Sequence, residues 1–313
     1  MPSLIELIDR KNQRIEDIPE KFQSSVEKLQ RRIFNRVVEL IGQLDTDPSG
    51  NIRMTEANLL RIQNINDELK RVLNGREYVQ AVRAFTNEFE TQKKINDEYL
   101  KKAFGSDFKE SRLADQLVKN SQRNAFELLA GAPAELNFIT PIKAQLEQAV
   151  SSGASFSDTV KGIRELVEGT EEADGRLLRY SKQVSWDAFA MSDRAYTNAV
   201  AEDIDVEWFR YSGGLVKDSR CFCVERDKQY FHFKEIEAFG RQEDLGECNT
   251  GEGWQGMMAG TNESTIFIVA GGYNCKHTWS PVSIVAVPKE VINRNINNGN
   301  FEPSEFEREE LGL

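Results

Sequence analysis

The sequence predicts an α+β protein, mostly helical over its first two-thirds and ending in a small β domain. Three observations predict it. Apolar residues recur every three or four positions from Phe22 to Val150, the period of helices that bury one face. After about residue 206 that period gives way to short β-branched or aromatic runs bounded by Gly or Pro. All 4 cysteines and both histidines lie between Cys221 and His277, so the chemistry of the chain is concentrated in that last part.

Phe22, Val26, Leu29, Ile33, Val37, Leu40 and Leu44 mark one long amphipathic helix, followed by a turn from Asp45 to Gly50. Leu59, Ile62, Ile65, Leu69, Val72 and Leu73 mark a second, which Asn74-Gly75 stops, and the pair is expected as an antiparallel hairpin. Tyr78, Val82, Phe85, Phe89 and Ile95 open a third helix, and helical stretches continue through 113–129 and 134–150. These stripes read as bundle core rather than as a cofactor box. The small residues of Ser151-Ser-Gly-Ala-Ser-Phe-Ser mark a boundary, with Ser155 or Ser157 capping a helix that carries Val160, Ile163 and Leu166. A helical arm runs on through Leu177, Val184, Phe189 and Tyr196 to about Ala201. Strands are expected at 206–211, 265–269 and 283–287, around a glycine-rich acidic loop at 240–260. From Asn293 onward Glu302, Glu305, Glu307, Glu309 and Glu310 outweigh Arg294 and Arg308, as in a flexible acidic tail or a segment that orders on a partner. The expected domains are a helical domain at 1–152, a helical arm at 153–205, the small β domain at 206–288 and the tail at 289–313.

A chain of 313 residues with 39% hydrophobic residues can build a core, with room for about two domains. No apolar run is long enough to cross a bilayer, and Glu6, Asp9 and Arg10 stand where a signal peptide needs its apolar stretch. A reducing cytoplasm is therefore the expected place of synthesis, where cysteines are thiols or metal ligands more often than bridges. A Cys221–Cys223 disulfide is the alternative. The net charge is -11, and residues 201–313 hold 20 Asp/Glu against 11 Lys/Arg. That balance argues against sequence-specific nucleic-acid binding, which concentrates cations on one face; Lys28, Arg31, Arg32 and Arg36 cluster on one helix but read as a solvated face.

Two tight pairs, Cys221-Phe-Cys223 and Cys275-Lys-His277, have the form in which a chain supplies zinc with four N/S donors from two turns. The expected ligand set is Cys221, Cys223, Cys275 and His277, with His232 or Cys248 as substitutes for one of them. The plain alternative is buried thiols and incidental histidines. A sheet this small and glycine-rich lacks apolar area, so a structural zinc would supply folding energy directly.

The first interhelical turn offers a second candidate. Asp45, Asp47, Ser49, Asn51 and Glu56 follow the order of a calcium loop, with Gly50 at the sixth position and Ile52 at the eighth. Arg53 at the ninth position and the want of a partner loop weigh against calcium, and a polar turn with Gly50 at positive φ explains the same residues.

The segment from Trp208 through Gly213-Gly214 to Asp218-Ser-Arg220-Cys-Phe-Cys223, then Gln229-Tyr-Phe231, then Gly271-Gly-Tyr-Asn-Cys275-Lys-His277-Thr-Trp279-Ser-Pro281-Val282, resembles the C-terminal signature of phage head morphogenesis proteins. These minor head proteins are similar to the F protein of phage Mu. The lead-in from Arg179-Tyr180 to Arg194-Ala-Tyr196-Thr-Asn198 is similar to that family too, so the resemblance covers about residues 155–285. It implies a structural virion protein made in the host cytoplasm and placed inside the capsid near the portal vertex, acting in head assembly and DNA ejection. The partners it implies are the portal protein, the major capsid or scaffolding protein, and further copies of itself. By motif, Cys223, Cys275 and His277 are the family-like positions, whereas Cys221 departs from the pattern. No reaction is implied.

The competing class is a zinc-dependent hydrolase or toxin. A catalytic zinc needs an open water position and a base, for which Glu225, Asp227 or Glu235 could serve, and a nucleophilic Cys223 would need His277 or His232. Relatives of this kind are sometimes fused to ADP-ribosyltransferase toxins, but Ser264-Thr265 and Glu305-Phe-Glu307 stand at the wrong spacing for that motif. No P-loop or GxGxxG is present, which argues against ATP-driven packaging.

Overall fold

The computed structural model describes residues 3–312. Long helices lead: α1 (Leu4–Ile41), α2 (Glu56–Leu73), α3 (Arg76–Phe104) and α4 (Arg112–Ala130). A π-helical turn at Glu135–Ile139 enters α5 (Thr140–Ser152), and α6 (Phe156–Val167) and α7 (Arg176–Asp203) complete the helical part. The α+β class is as predicted. No helix among the described residues is long and apolar enough to cross a membrane.

The chain divides into two compact units, each assembled from separated segments: Ile18–Glu88 with Gln122–Ser185, and Met1–Asp17 with Phe89–Ser121 and Trp186–Leu313. The expected sequential domains differ from these, because the long helices contribute residues to both.

The first of these is all-helical. Phe22, Val26, Ile33 and Val37 of α1 are buried along with Ile62, Ile65 and Leu69 of α2, and Phe22 stacks on Phe85 with centroids 5.0 Å apart. Asp45, in the turn, pairs with Arg61 at 2.9 Å, and Arg36 Nε lies 3.4 Å from Glu68 Oε1, so positions further from the turn on α1 meet positions further from it on α2, as in an antiparallel hairpin. The local signals act as read: Asn74 caps α2, and the Ser155 side chain accepts the Asp158 amide at the start of α6. Helix α1 starts at Leu4, well before Phe22, and runs through Pro19.

The other unit carries the sheet. Strands β1 (Trp208–Ser212), β2 (Tyr230–His232) and β3 (Thr278–Pro281) form an antiparallel sheet in the order β2-β1-β3, with Phe209 opposite Phe231 and Tyr211 opposite Trp279. Alternation along β1 sends Phe209 and Tyr211 into a cluster with Phe222, Phe239, Trp254 and Trp279, and Trp208 into another with Ile292 and Phe301. Between the strands lie α8 (Cys221–Arg226) and α9 (Phe233–Gly240).

Two expected strands are not strands. Ile266–Val269 is a single helical turn closed by Val269 N–H to Thr265 O at 2.9 Å, and Ile284–Ala286 is a 3-10 turn ending before Pro288. Periodicity does not separate a four-residue buried helix from a buried strand, and here the flanking turns decided it. The acidic tail is also folded through residue 312. Helices α10 (Lys289–Asn297) and α11 (Glu305–Leu311) bury Ile292, Phe301 and Leu311 around Trp208, and Arg294 pairs with Glu235 at 2.8 Å. Net acidity concealed a sparse apolar pattern and a Ser304/Glu307 capping box.

Candidate metal centre

Two turns built by local chemistry bring the ligand-type residues together. One is α8, whose six residues put Phe222 and Cys223 into the core. The other follows the helical turn Ile266–Val269, where Ala270 (φ 49), Gly272 (φ 103) and Asn274 (φ 54) reverse the chain. The reversal wraps backbone around one sulfur: Gly271 N–H and His277 N–H point at Cys275 Sγ from 3.3 and 3.4 Å. A side chain at Gly272 would collide with the Gly256 carbonyl, so the loop closes only with glycine there.

Cys223, Cys275 and His277 are all buried, and their donor atoms lie within 4.8 Å of one another. The two sulfurs are 3.7 Å apart, and Tyr211 Oη sits 3.4 Å from Cys223 and 3.6 Å from Cys275. Tyr211 also stacks on the His277 ring at 4.8 Å, and His277 Nε2 lies 3.3 Å from Asp227 Oδ1. Both of these atoms are buried, and neither makes a hydrogen bond.

The electrostatics favour a thiolate here. The hydrogen bond from Cys223 holds the Cys275 thiol well below its ordinary range, assisted by His277 and Arg194. The same hydrogen bond pushes Cys223 up, and burial adds to it. Burial, with both sulfurs beside it, raises Tyr211. Two sulfurs and an imidazole, all buried, are soft and borderline donors, the chemistry of a zinc-type ion, and these residues could hold a metal. A cleft of about 400 Å³ borders them, lined also by Asp218, Arg220 and Lys276.

Cys221 does not join them. It is bonded to Cys248, with Cα atoms 5.4 Å apart. Cys221 and Cys223 stand at i and i+2 on a helix, positions that do not face each other, so they can neither share an ion with Cys275 nor pair together. The expectation of thiols or metal ligands rather than bridges is corrected for Cys221 and Cys248, while Cys223 and Cys275 are free. His232 and Cys248 are not substitutes either: His232 Nδ1 caps α9 by accepting the Lys234 amide at 3.4 Å, and its ring packs edge-on to Trp208.

The calcium loop is a polar turn. Asp47 accepts the amides of Ser49 and Asn51, each at 2.9 Å, while the Asn51 carbonyl that would face an ion accepts Asp47 N–H at 2.8 Å. Asp45 pairs with Arg61 at 2.9 Å, and Asp45, Asp47 and Glu56 form no cluster. Gly50 takes positive φ, and Asn51 bridges to Ser155 instead of to a partner loop.

Among the proposed bases, Glu235 is engaged in capping α9 and pairing Arg294, Glu225 lies by the disulfide, and Asp227 alone faces the centre. Sequence reasoning passed over Tyr211 and assigned no role to Arg194. Arg194 is buried and donates to the carbonyls of His277 (2.9 Å), Ile268 (3.1 Å) and Cys275. Arg220 of the Asp-Ser-Arg turn donates to the Gly271 and Tyr273 carbonyls, joining the two motif segments. Comparison of the chain with protein-family models, curated proteins and solved structures finds no match in any of the three.

Proposed function

We propose that this chain is a structural protein of a phage head, a minor head or head morphogenesis component held inside the capsid near the portal vertex, with a structural zinc on Cys223, Cys275 and His277. The observation that carries the reading is the joining of its two signature segments: Arg220 ties the Asp218-Ser-Arg220 turn to Gly271-Gly-Tyr273, beside the three donors. The residues that resemble the phage signature thus form one local unit with a reason to occur together. Zinc would take the place of thiol protons and fasten α8 to the 270–277 loop. The portal protein is the proposed partner, with capsid or scaffolding proteins and further copies as others, in head assembly and DNA ejection. No catalytic role is proposed.

Co-expression with the portal protein of the same genome tests this, followed by size-exclusion chromatography and zinc analysis. Co-elution with about one zinc per chain is expected. A chain that never co-elutes with the portal would overturn the assembly role.

One observation favours a second reading, a zinc-dependent hydrolase or toxin. Three protein donors leave a tetrahedral position, and the bordering cleft could bring it water, with Asp227 beside His277. Cys275→Ala separates the two: a structural zinc predicts loss of zinc and unfolding of the sheet, whereas a catalytic zinc predicts a folded, inactive protein.

A further inference from the structure

The face of α8 opposite Cys223 carries a second group of ligand-type atoms. Cys221 and Glu225 stand at i and i+4, so both project from the same side, and Glu225 Oε1 lies 3.5 Å from Cys221 Sγ. Cys248 ends the 3-10 turn Gly246–Cys248 and brings its sulfur to the same point. The two sulfurs and a Glu225 oxygen lie within 4.8 Å of one another; Cys221 and Glu225 are exposed, and Cys248 is buried. Arg226 Nη1, 3.3 Å from Glu225 Oε2, adds a positive charge beside the carboxylate. As a disulfide the sulfurs are bonded to each other and hold α8 to the 240–260 loop across 27 residues.

We propose that reduction of Cys221–Cys248 converts this staple into a second, solvent-facing site for a thiophilic divalent cation such as zinc, held by Cys221, Cys248 and Glu225. With a phosphine reductant, the S–S bond breaks, phosphorus is oxidised and takes oxygen from water, and the two protons of that water go to the two thiols. A dithiol does the same by closing to its own cyclic disulfide. The ion then displaces both thiol protons, and two thiolates with one carboxylate leave a fourth position for water. The covalent link is thereby replaced by a coordinate one, so α8 and the loop stay joined in a reducing compartment. This inference is independent of the buried centre, because its ligands lie on the other side of α8.

The test is native mass spectrometry of the full chain with added zinc, oxidised and after reduction by a water-soluble phosphine that is then removed. The reduced chain should hold one ion more than the oxidised chain. Cys248→Ser should abolish that extra ion, and Glu225→Gln, an exposed change that leaves both sulfurs, should weaken it about tenfold. Equal ion counts in the two redox states would refute the site, as would an extra ion indifferent to either variant. The oxidised chain keeps the two centres distinct: with Cys221 and Cys248 bonded to each other, its ion count reports the buried centre alone.

Discussion

Arg194 Nε donates to the carbonyl oxygen of His277 over 2.9 Å, and the same guanidinium reaches the carbonyls of Cys275 and Ile268. A buried cation on α7 thus holds the backbone on both sides of Lys276, and so sets the separation of the two donors that this loop supplies.

Arg194→Lys should therefore weaken the centre without touching a ligand. A lysine offers one compact ammonium where the guanidinium fork serves several carbonyls, and buried carbonyls left without donors cost on the order of 2–4 kcal/mol in all. Urea denaturation should show that loss, and chelator competition should show zinc bound at least about tenfold more weakly. Unchanged affinity would mean that Arg194 serves packing alone.

Gly271→Ala tests how tightly the sulfurs are enclosed. An added Cβ would stand 2.9 Å from Cys275 Sγ, 3.0 Å from Tyr211 Oη and nearer still to Cys223 Sγ. The sulfurs would have to part, at a cost of about 1–3 kcal/mol, with zinc binding lost or strongly reduced. Metal content measured beside far-UV circular dichroism checks it: full zinc occupancy in a folded variant would contradict this geometry.

Acid should destabilise the β-bearing unit through His232. Burial, with Lys234 adding, lowers its pKa from 6.5 to about 4, so the folded protein holds this histidine neutral where the unfolded chain would protonate it. Its contribution is complete above about pH 6.5 and is lost as pH falls toward 4, on the order of 3 kcal/mol across that window. His232→Asn keeps a capping acceptor and removes the titration. Denaturation midpoints at several pH values should fall more steeply for the parent than for the variant, and parallel curves would dismiss the effect.

Calcium should have no effect on the 45–56 turn. Hydrogen bonds from Asn51 hold the Asp47 carboxyl below its ordinary range, so the group already serves the backbone as an anion. Asp47→Ala should lower the melting temperature by the same few degrees with or without calcium. A calcium-dependent rise in the parent, absent from the variant, would restore the metal-loop reading.

The helices and their stops were legible because period and capping are local: Phe22 to Val37, the Asn74-Gly75 stop and the Ser155 cap each act over a turn or two. The trio Cys223, Cys275 and His277 stood out for the same reason, as short pairs of donor-type residues. Cys221 was misassigned because the reading needed a helix at Cys221–Arg226, where no apolar period is long enough to announce one. Strands β2 and β3 have three and four residues, too short for alternation to show.

By itself the sequence determined the class of the protein, its long helices and the confinement of its sulfur and imidazole chemistry to one region, since composition and short-range periodicity carry these. Only the tertiary structure decided which sulfurs meet. That choice depends on the direction each side chain leaves a turn, on loop residues at positive φ such as Ala270 and Asn274, and on the distant Arg194 that holds their carbonyls. It likewise decided that the acidic C-terminal segment folds, because Trp208, far away in sequence, supplies the apolar surface that Ile292 and Phe301 cover.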